Sequence, residues 1–120
     1  MPARKDVINM TVKEIARIKE CRLAAQGKME ETITGVFCCD LLSIAMSKAP
    51  SGCAWVTVMA NKNTIAVASL TDTACVILAE GVHLNESDKK CAIDEGITVF
   101  ETDLPIFDTA LAIHRLRAEQ

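Results

Sequence analysis

Ile33-Thr34-Gly35-Val36-Phe37-Cys38-Cys39-Asp40 is the stretch on which the fold turns. Its β-branched, aromatic and cysteine side chains read as a strand that stops at a carboxylate, and residues 41–48 then read as a helix. The same unit recurs three times. A strand at 54–59 stops at Asn61, Lys62 and Asn63 before a helix at 64–70. A strand at 74–79 stops at Glu80 and Gly81 before a helix at 86–95. A strand at 97–100 stops near Asp103 before a helix at 104–117. Strands alternating with helices require crossover connections. They predict an α/β fold: a three-layer arrangement with a mostly parallel sheet flanked by helices, in a single compact domain. Sheets of this kind collect ligands at the carboxyl ends of their strands, where this chain places its polar residues.

The rest of the chain is consistent with that core. With 120 residues it has the length of one domain, and folding hides roughly two-thirds of the unfolded surface. Half the residues are apolar, yet only three Phe and one Trp are aromatic and Tyr is absent. Val, Ile, Leu, Ala, Met and Cys must therefore build the core, and Trp55 is expected to be buried in the sheet or at a dimer face. A mean hydropathy of +0.23 leaves surplus apolar surface, which a homodimer would cover. The net charge of -3 gives no electrostatic reason to expect nucleic acid. The N-terminal stretch has neither a signal-peptide core nor a cleavage site. No apolar run is long enough to span a bilayer. A cytoplasmic location without membrane contact is the expectation.

Local signals fill in the connections. Residues 1–6 are expected to fray. Basic residues Arg4, Lys5, Lys13, Arg17, Lys19 and Arg22 alternate with Asp6, Glu14 and Glu20, as on a solvated amphipathic helix. Thr11 and Glu14 have capping-box spacing. A short strand is predicted at 21–25, followed by a polar connection turning at Gly27. Gly96 fits a C′ glycine, and Pro105 fits the first turn of the last helix. Six cysteines (Cys21, Cys38, Cys39, Cys53, Cys75 and Cys91) show no Cys-x-x-Cys spacing. They read as small hydrophobes, ahead of a shared metal or a redox-sensing thiol. Their abundance suits a reducing, anaerobic cell.

Residues 33–43, followed by Ala45 and Met46, resemble the central motif of the DRTGG domain family. Trp55-Val56-Thr57-Val58 and residues 63–68 resemble its next strand and helix, and residues 74–81 its apolar strand ending in a glycine. The resemblance runs from Thr11 to Leu116. It divides the chain into an N-terminal extension at 1–10 and a DRTGG-like domain at 11–117. The namesake motif is degenerate: Glu30 and Glu31 stand where an acidic–basic pair is expected, Thr34 and Gly35 match, and Val36 replaces the second glycine. The resemblance implies a regulatory or ligand-binding unit that pairs with itself. It is found beside CBS domains in regulated enzymes or free-standing, and it implies no catalytic residues.

The residues themselves point to a candidate site of Asp40, Ser43, Asn61, Asn63, Glu80 and Gly81. Asp40 reads as a helix N-cap or, with Ser43, as a partner for a ligand hydroxyl or cation. Asn61 and Asn63 share that ambiguity. Thr57 reads as a satisfied strand hydroxyl. Glu80 and Gly81 bring backbone close to a ligand or simply end a strand. Thr102 and Asp103 read as caps of the last helix. Several open helix N-termini along one rim would suit a nucleotide phosphate, although no Walker-type or Rossmann-type glycine loop is present. His83 falls in an exposed loop. His114 falls on the last helix, and neither histidine has a nucleophile near it in sequence. Three functions remain. The first is a non-catalytic regulatory or small-molecule-sensing module, homodimeric, its cofactor unidentified with a nucleotide as the candidate. The second is a docking subunit for a larger enzyme, a redox enzyme of an anaerobe or a CBS-domain protein. The third is an enzyme of unrecognised type, and the missing P-loop lysine, nucleophile elbow and metal cluster count against it.

Overall fold

The computed structural model describes residues 10–119. Its centre is a five-stranded sheet in the order β1-β5-β4-β3-β2, built from β1 (Cys21–Ala25), β2 (Gly35–Cys38), β3 (Cys53–Thr57), β4 (Cys75–Leu78) and β5 (Thr98–Thr102). Strands β2 to β5 are mutually parallel, and β1 pairs antiparallel with β5. Helices α1 (Leu42–Lys48), α2 (Lys62–Leu70), α3 (Glu86–Glu95) and α4 (Ile106–Ala118) follow strands β2 to β5 in turn.

Alternation along each strand divides the core into two layers. Val76 and Leu78 point to one face, where Trp55, Ala45, Ile65 and Ala92 bring in α1, α2 and α3. Ile77 points to the other, where Val56, Phe100, Ile113 and Ile15 bring in α4 and the N-terminal segment. Three layers result. The strand order from β2 to β5 advances one place at a time in a single direction. Connections of constant hand therefore leave α1 to α3 together on one face. The order never reverses among the parallel strands, so the crevice that such reversals open in doubly wound sheets is not formed.

The N-terminal segment corrects the sequence reading. Residues Val12–Arg17 form a 3₁₀ helix, and Thr11 makes no side-chain cap. The capping box is displaced by backbone partners. Val12 N donates to Glu31 O, Lys13 N to Met29 O, and Glu14 N to the Thr11 carbonyl rather than to its hydroxyl. Thr11 Oγ1 and Glu14 Oε1 are left without hydrogen-bond partners. The expected fraying of residues 1–6 lies outside the described residues. Met10 is buried in the core, and its carbonyl accepts from Ile33 N.

Gly27 also plays a different part. It is not a positive-φ turn residue. A Cβ there would lie 2.4 Å from the Gly96 carbonyl group, so the glycine lets the chain leaving β1 cross the α3–β5 turn. Gly96 itself closes α3 in the left-handed conformation, φ +74°, as its position predicts. Pro105 is the N-cap of α4 rather than a first-turn residue. Among the described residues, no helix is long and apolar enough to cross a membrane.

Candidate functional site

Asp40, Ser43, Asn61, Asn63, Glu80 and Gly81 all fall just beyond the carboxyl ends of β2, β3 and β4. These strands are neighbours in the sheet, so the six residues follow one rim. Their side chains largely serve the fold. Asp40 is not an N-cap; that position belongs to Leu41, whose side chain caps nothing. The chain beyond β2 is instead stitched to β3. Trp55 Nε1 donates to the Cys39 carbonyl at 2.9 Å. Asp40 Oδ1 accepts from the Thr57 hydroxyl at 2.7 Å and from Val58 N at 2.9 Å. The Thr57 hydroxyl is therefore satisfied, and it is fully rather than half-buried.

Asn61 caps α2, its Oδ1 accepting from Asn63 N and Thr64 N. Glu80 reaches across to α4, where Oε2 accepts from Ile106 N at 3.1 Å. Thr102 and Asp103 do not cap that helix. The Thr102 hydroxyl accepts from Leu104 N, and Asp103 pairs with Arg22 at 3.6 Å. Asn85 caps α3 through Asp88 N. The rim thus lacks the expected row of open helix N-termini: α2, α3 and α4 are each closed by a side chain of the protein. Carboxylates of Asp40, Glu80 and Asp103 stand where phosphate was expected, and they oppose an anion by like charge. Ser43 and Asn63 are exposed, and their side chains make no bond within the described residues.

Sequence reasoning missed one pair on the same rim. Glu101 sits on β5, 6% exposed. It accepts from Leu84 N at 2.9 Å and from His83 Nδ1 at 2.8 Å. Burial alone pushes this carboxyl up. The hydrogen bonds from His83 and Leu84 and the charges of His83 and Lys89 outweigh it, and they hold the group below the usual carboxylate range. The only sequence signal was an acidic residue inside an apolar strand. His83 is exposed, as expected. The turn that leads from β4 to His83 is tightly held: Glu80 and Gly81 have φ of +62° and +78°, and Val82 N donates back to Ala79 O. Glu80 N and Gly81 N donate to Leu104 O and Thr102 O.

All six cysteines are free. Burial pushes the Cys21 thiol up to about 11 and also raises Cys53 and Cys75, which disfavours reactive thiolates there. Cys38 is not the buried hydrophobe expected: it ends the edge strand and is exposed. Its thiol is raised by partial burial and by the Asp40 charge. At the opposite end of the sheet a polar cleft of about 90 Å³ is lined by Lys28, Ser69, Asp72, Thr73, Glu95 and Gly96.

No family model matches the chain. No curated protein matches it either. Among solved structures, it is similar to the CBS and DRTGG domains of the regulatory region of Clostridium perfringens pyrophosphatase, complexed with an activator, diadenosine tetraphosphate. The TM-score is 0.71 at 13% identity, over 86% of this chain and 45% of that one. The fold is DRTGG-like. The chain spans less than half of that neighbour, and at this identity the DRTGG-like fold is what the similarity shows.

Proposed function

We propose that this chain is a regulatory module of the DRTGG family, homodimeric, cytoplasmic and without catalytic activity of its own, that binds a small-molecule effector at the carboxyl rim of its sheet. The observation that carries this reading is its likeness to a regulatory region that was solved with an activator. The contacts we assign to the effector are the rim atoms the fold leaves open: the second carboxylate oxygen of Asp40 and the side chains of Ser43 and Asn63; Gly81 lies farther along the rim, its N–H already given to Thr102 O. Asn61 and Glu80 shape the rim through their helix caps. The carboxylates favour an effector that presents hydroxyl, amine or base-edge groups there rather than a bare phosphate.

The test is a thermal-shift screen with adenine and guanine nucleotides, diadenosine tetraphosphate, coenzymes and phosphorylated metabolites. A Ser43→Ala, Asn63→Ala double variant runs beside it, because neither side chain supports the fold. A ligand at a hundred times its dissociation constant adds about 2.7 kcal/mol. The expected result is a dose-dependent shift that the double variant loses. The absence of a shift with every compound would defeat the effector reading.

A second reading, docking to a larger enzyme or a CBS-domain protein, is favoured by one feature. Leu41, Ile44 and Met46 are 58%, 42% and 45% exposed beside the edge strand β2. We assign this face to a second copy of the chain, and light scattering of the purified protein distinguishes a dimer from a monomer that awaits another partner.

A further inference from the structure

The pair His83–Glu101 has the geometry of an oriented, reactive imidazole. Glu101 carries no proton when ionised, so the hydrogen shared at 2.8 Å belongs to His83 Nδ1. The lone pair of the neutral ring is then on Nε2, which makes no bond within the described residues. The His83 side chain is 60% exposed while that of Glu101 is 9% exposed: a buried carboxylate holds a ring whose far nitrogen meets solvent. The mounting is stiff. Leu84 N is tied to the same carboxylate, and the preceding turn carries two successive positive φ values. Such a turn persists only where surrounding bonds over-determine it, as those to Leu104 and Thr102 do. The other histidine, His114 on α4, has no carboxylate partner among the described residues.

We propose that His83 is a site of phosphoryl modification, accepting a phosphoryl group at Nε2 from a small acyl phosphate. The Nε2 lone pair attacks phosphorus and forms the P–N bond. The bridging P–O bond breaks, and its electron pair leaves with the carboxylate of the donor. The ring becomes a cation that keeps its Nδ1 proton, and Glu101 stabilises that charge as a positioning residue, the part a buried carboxylate plays beside a reacting histidine. The charged groups around the pair are Lys89 from α3, which acts on Glu101, Arg22 from β1, the register neighbour of Glu101 paired with Asp103, and Glu80 in the turn before His83, whose carboxylate is taken up by Ile106 N; the carboxylates oppose the incoming anion and the two cations offset them. Strand β4 contributes none. We assign the phosphoryl oxygens to Lys89, whose charge already acts on Glu101 and whose present partner Glu86, at 3.4 Å, has a side chain 92% exposed. An acyl group on the same nitrogen would hydrolyse quickly, whereas a phosphorylimidazole persists long enough to signal.

The experiment incubates the full chain with acetyl phosphate and locates phosphohistidine by mass spectrometry and by phosphorus NMR. The expected outcome is an acid-labile phosphoryl group on His83 Nε2, formed faster than on His114. Glu101→Gln should bring His83 down to the His114 rate and let the phosphoryl group appear on Nδ1 as well as Nε2, since the carboxylate no longer fixes the tautomer, while His83→Gln should abolish the fast product. If Glu101→Gln does not fold, carbethoxylation of the wild-type protein decides: the proposal requires His83 to react faster than His114. Equal reactivity of the two histidines, no phosphohistidine, or modification at Nδ1 of the wild-type protein would each overturn it. Effector binding is read separately by thermal shift, so either idea can fail alone.

Discussion

Single residues carry large and opposite consequences here. Trp55 is fully buried and its indole also donates to Cys39 O. Trp55→Ala should cost about 3–5 kcal/mol, measured by denaturant unfolding. Gly27, just beyond β1, and Gly35, on β2 at the opposite edge of the sheet, make a sharper comparison. A Cβ at Gly27 meets backbone atoms of Gly96 and Ile97 at 2.4–2.7 Å, while one at Gly35 meets nothing within 4 Å. Gly27→Ala should therefore lower stability by about 1–3 kcal/mol through overpacking, and Gly35→Ala should change it by less than about 0.5 kcal/mol. Equal effects would show that the crossing at Gly27 is not so tight. The burial of Trp55 was legible, since one large aromatic in an apolar strand has nowhere else to go. The role of Gly27 was not, because its constraint comes from a segment about 70 residues away, across the Gly27–Thr98 hydrogen bond.

At the scale of the element, strands were easier to read than helix ends. The α3 boundaries, Glu86–Glu95, and its closing Gly96 follow from local signals that need no tertiary partner. The α1 and α4 starts differ because their capping groups come from elsewhere or are absent. Glu80 serves α4 from the end of β4, so Glu80→Ala should destabilise by about 1 kcal/mol. Glu80→Gln should lose less, since it keeps the acceptor; equal losses would mean charge rather than the hydrogen bond carries the cap. Glu101 ties the α3 approach to β5. Its depressed carboxyl adds stability that is fully present above the unfolded value, about 4.3. That stability is lost as pH falls through the lower folded value. In Glu101→Gln the wild-type protein's loss of melting temperature below about pH 4.3 should be reduced.

At the scale of the molecule, the two edges of the sheet are unequal. Strand β1 is antiparallel and carries Arg22, a charged edge residue, whereas β2 is a parallel edge of four residues without a charge. Unpaired edges of that kind invite pairing, and the exposed Leu41, Ile44 and Met46 lie next to it. If the chain pairs as proposed, a Leu41→Glu, Ile44→Glu variant should be monomeric where the wild type is dimeric, without loss of monomer stability. Light scattering checks the first and chemical denaturation the second. A variant that stays dimeric would move the interface to another face.

The alternation of strand and helix, with the mostly parallel sheet it implies, the burial of Trp55 and the closing glycine at Gly96 were determined by the sequence alone, since the strand, helix and cap signals rest on residues close together in the chain, whereas Asn61 was left open between a cap and a ligand partner until the structure showed it capping α2. Tertiary structure alone decided the partners of the carboxylates. Asp40 bonds a strand end 18 residues away, Glu80 a helix start 26 residues away, and Glu101 a histidine 18 residues away. A short acidic side chain takes whichever N–H or O–H its surroundings leave open, and which groups those are depends on how the strands lie side by side.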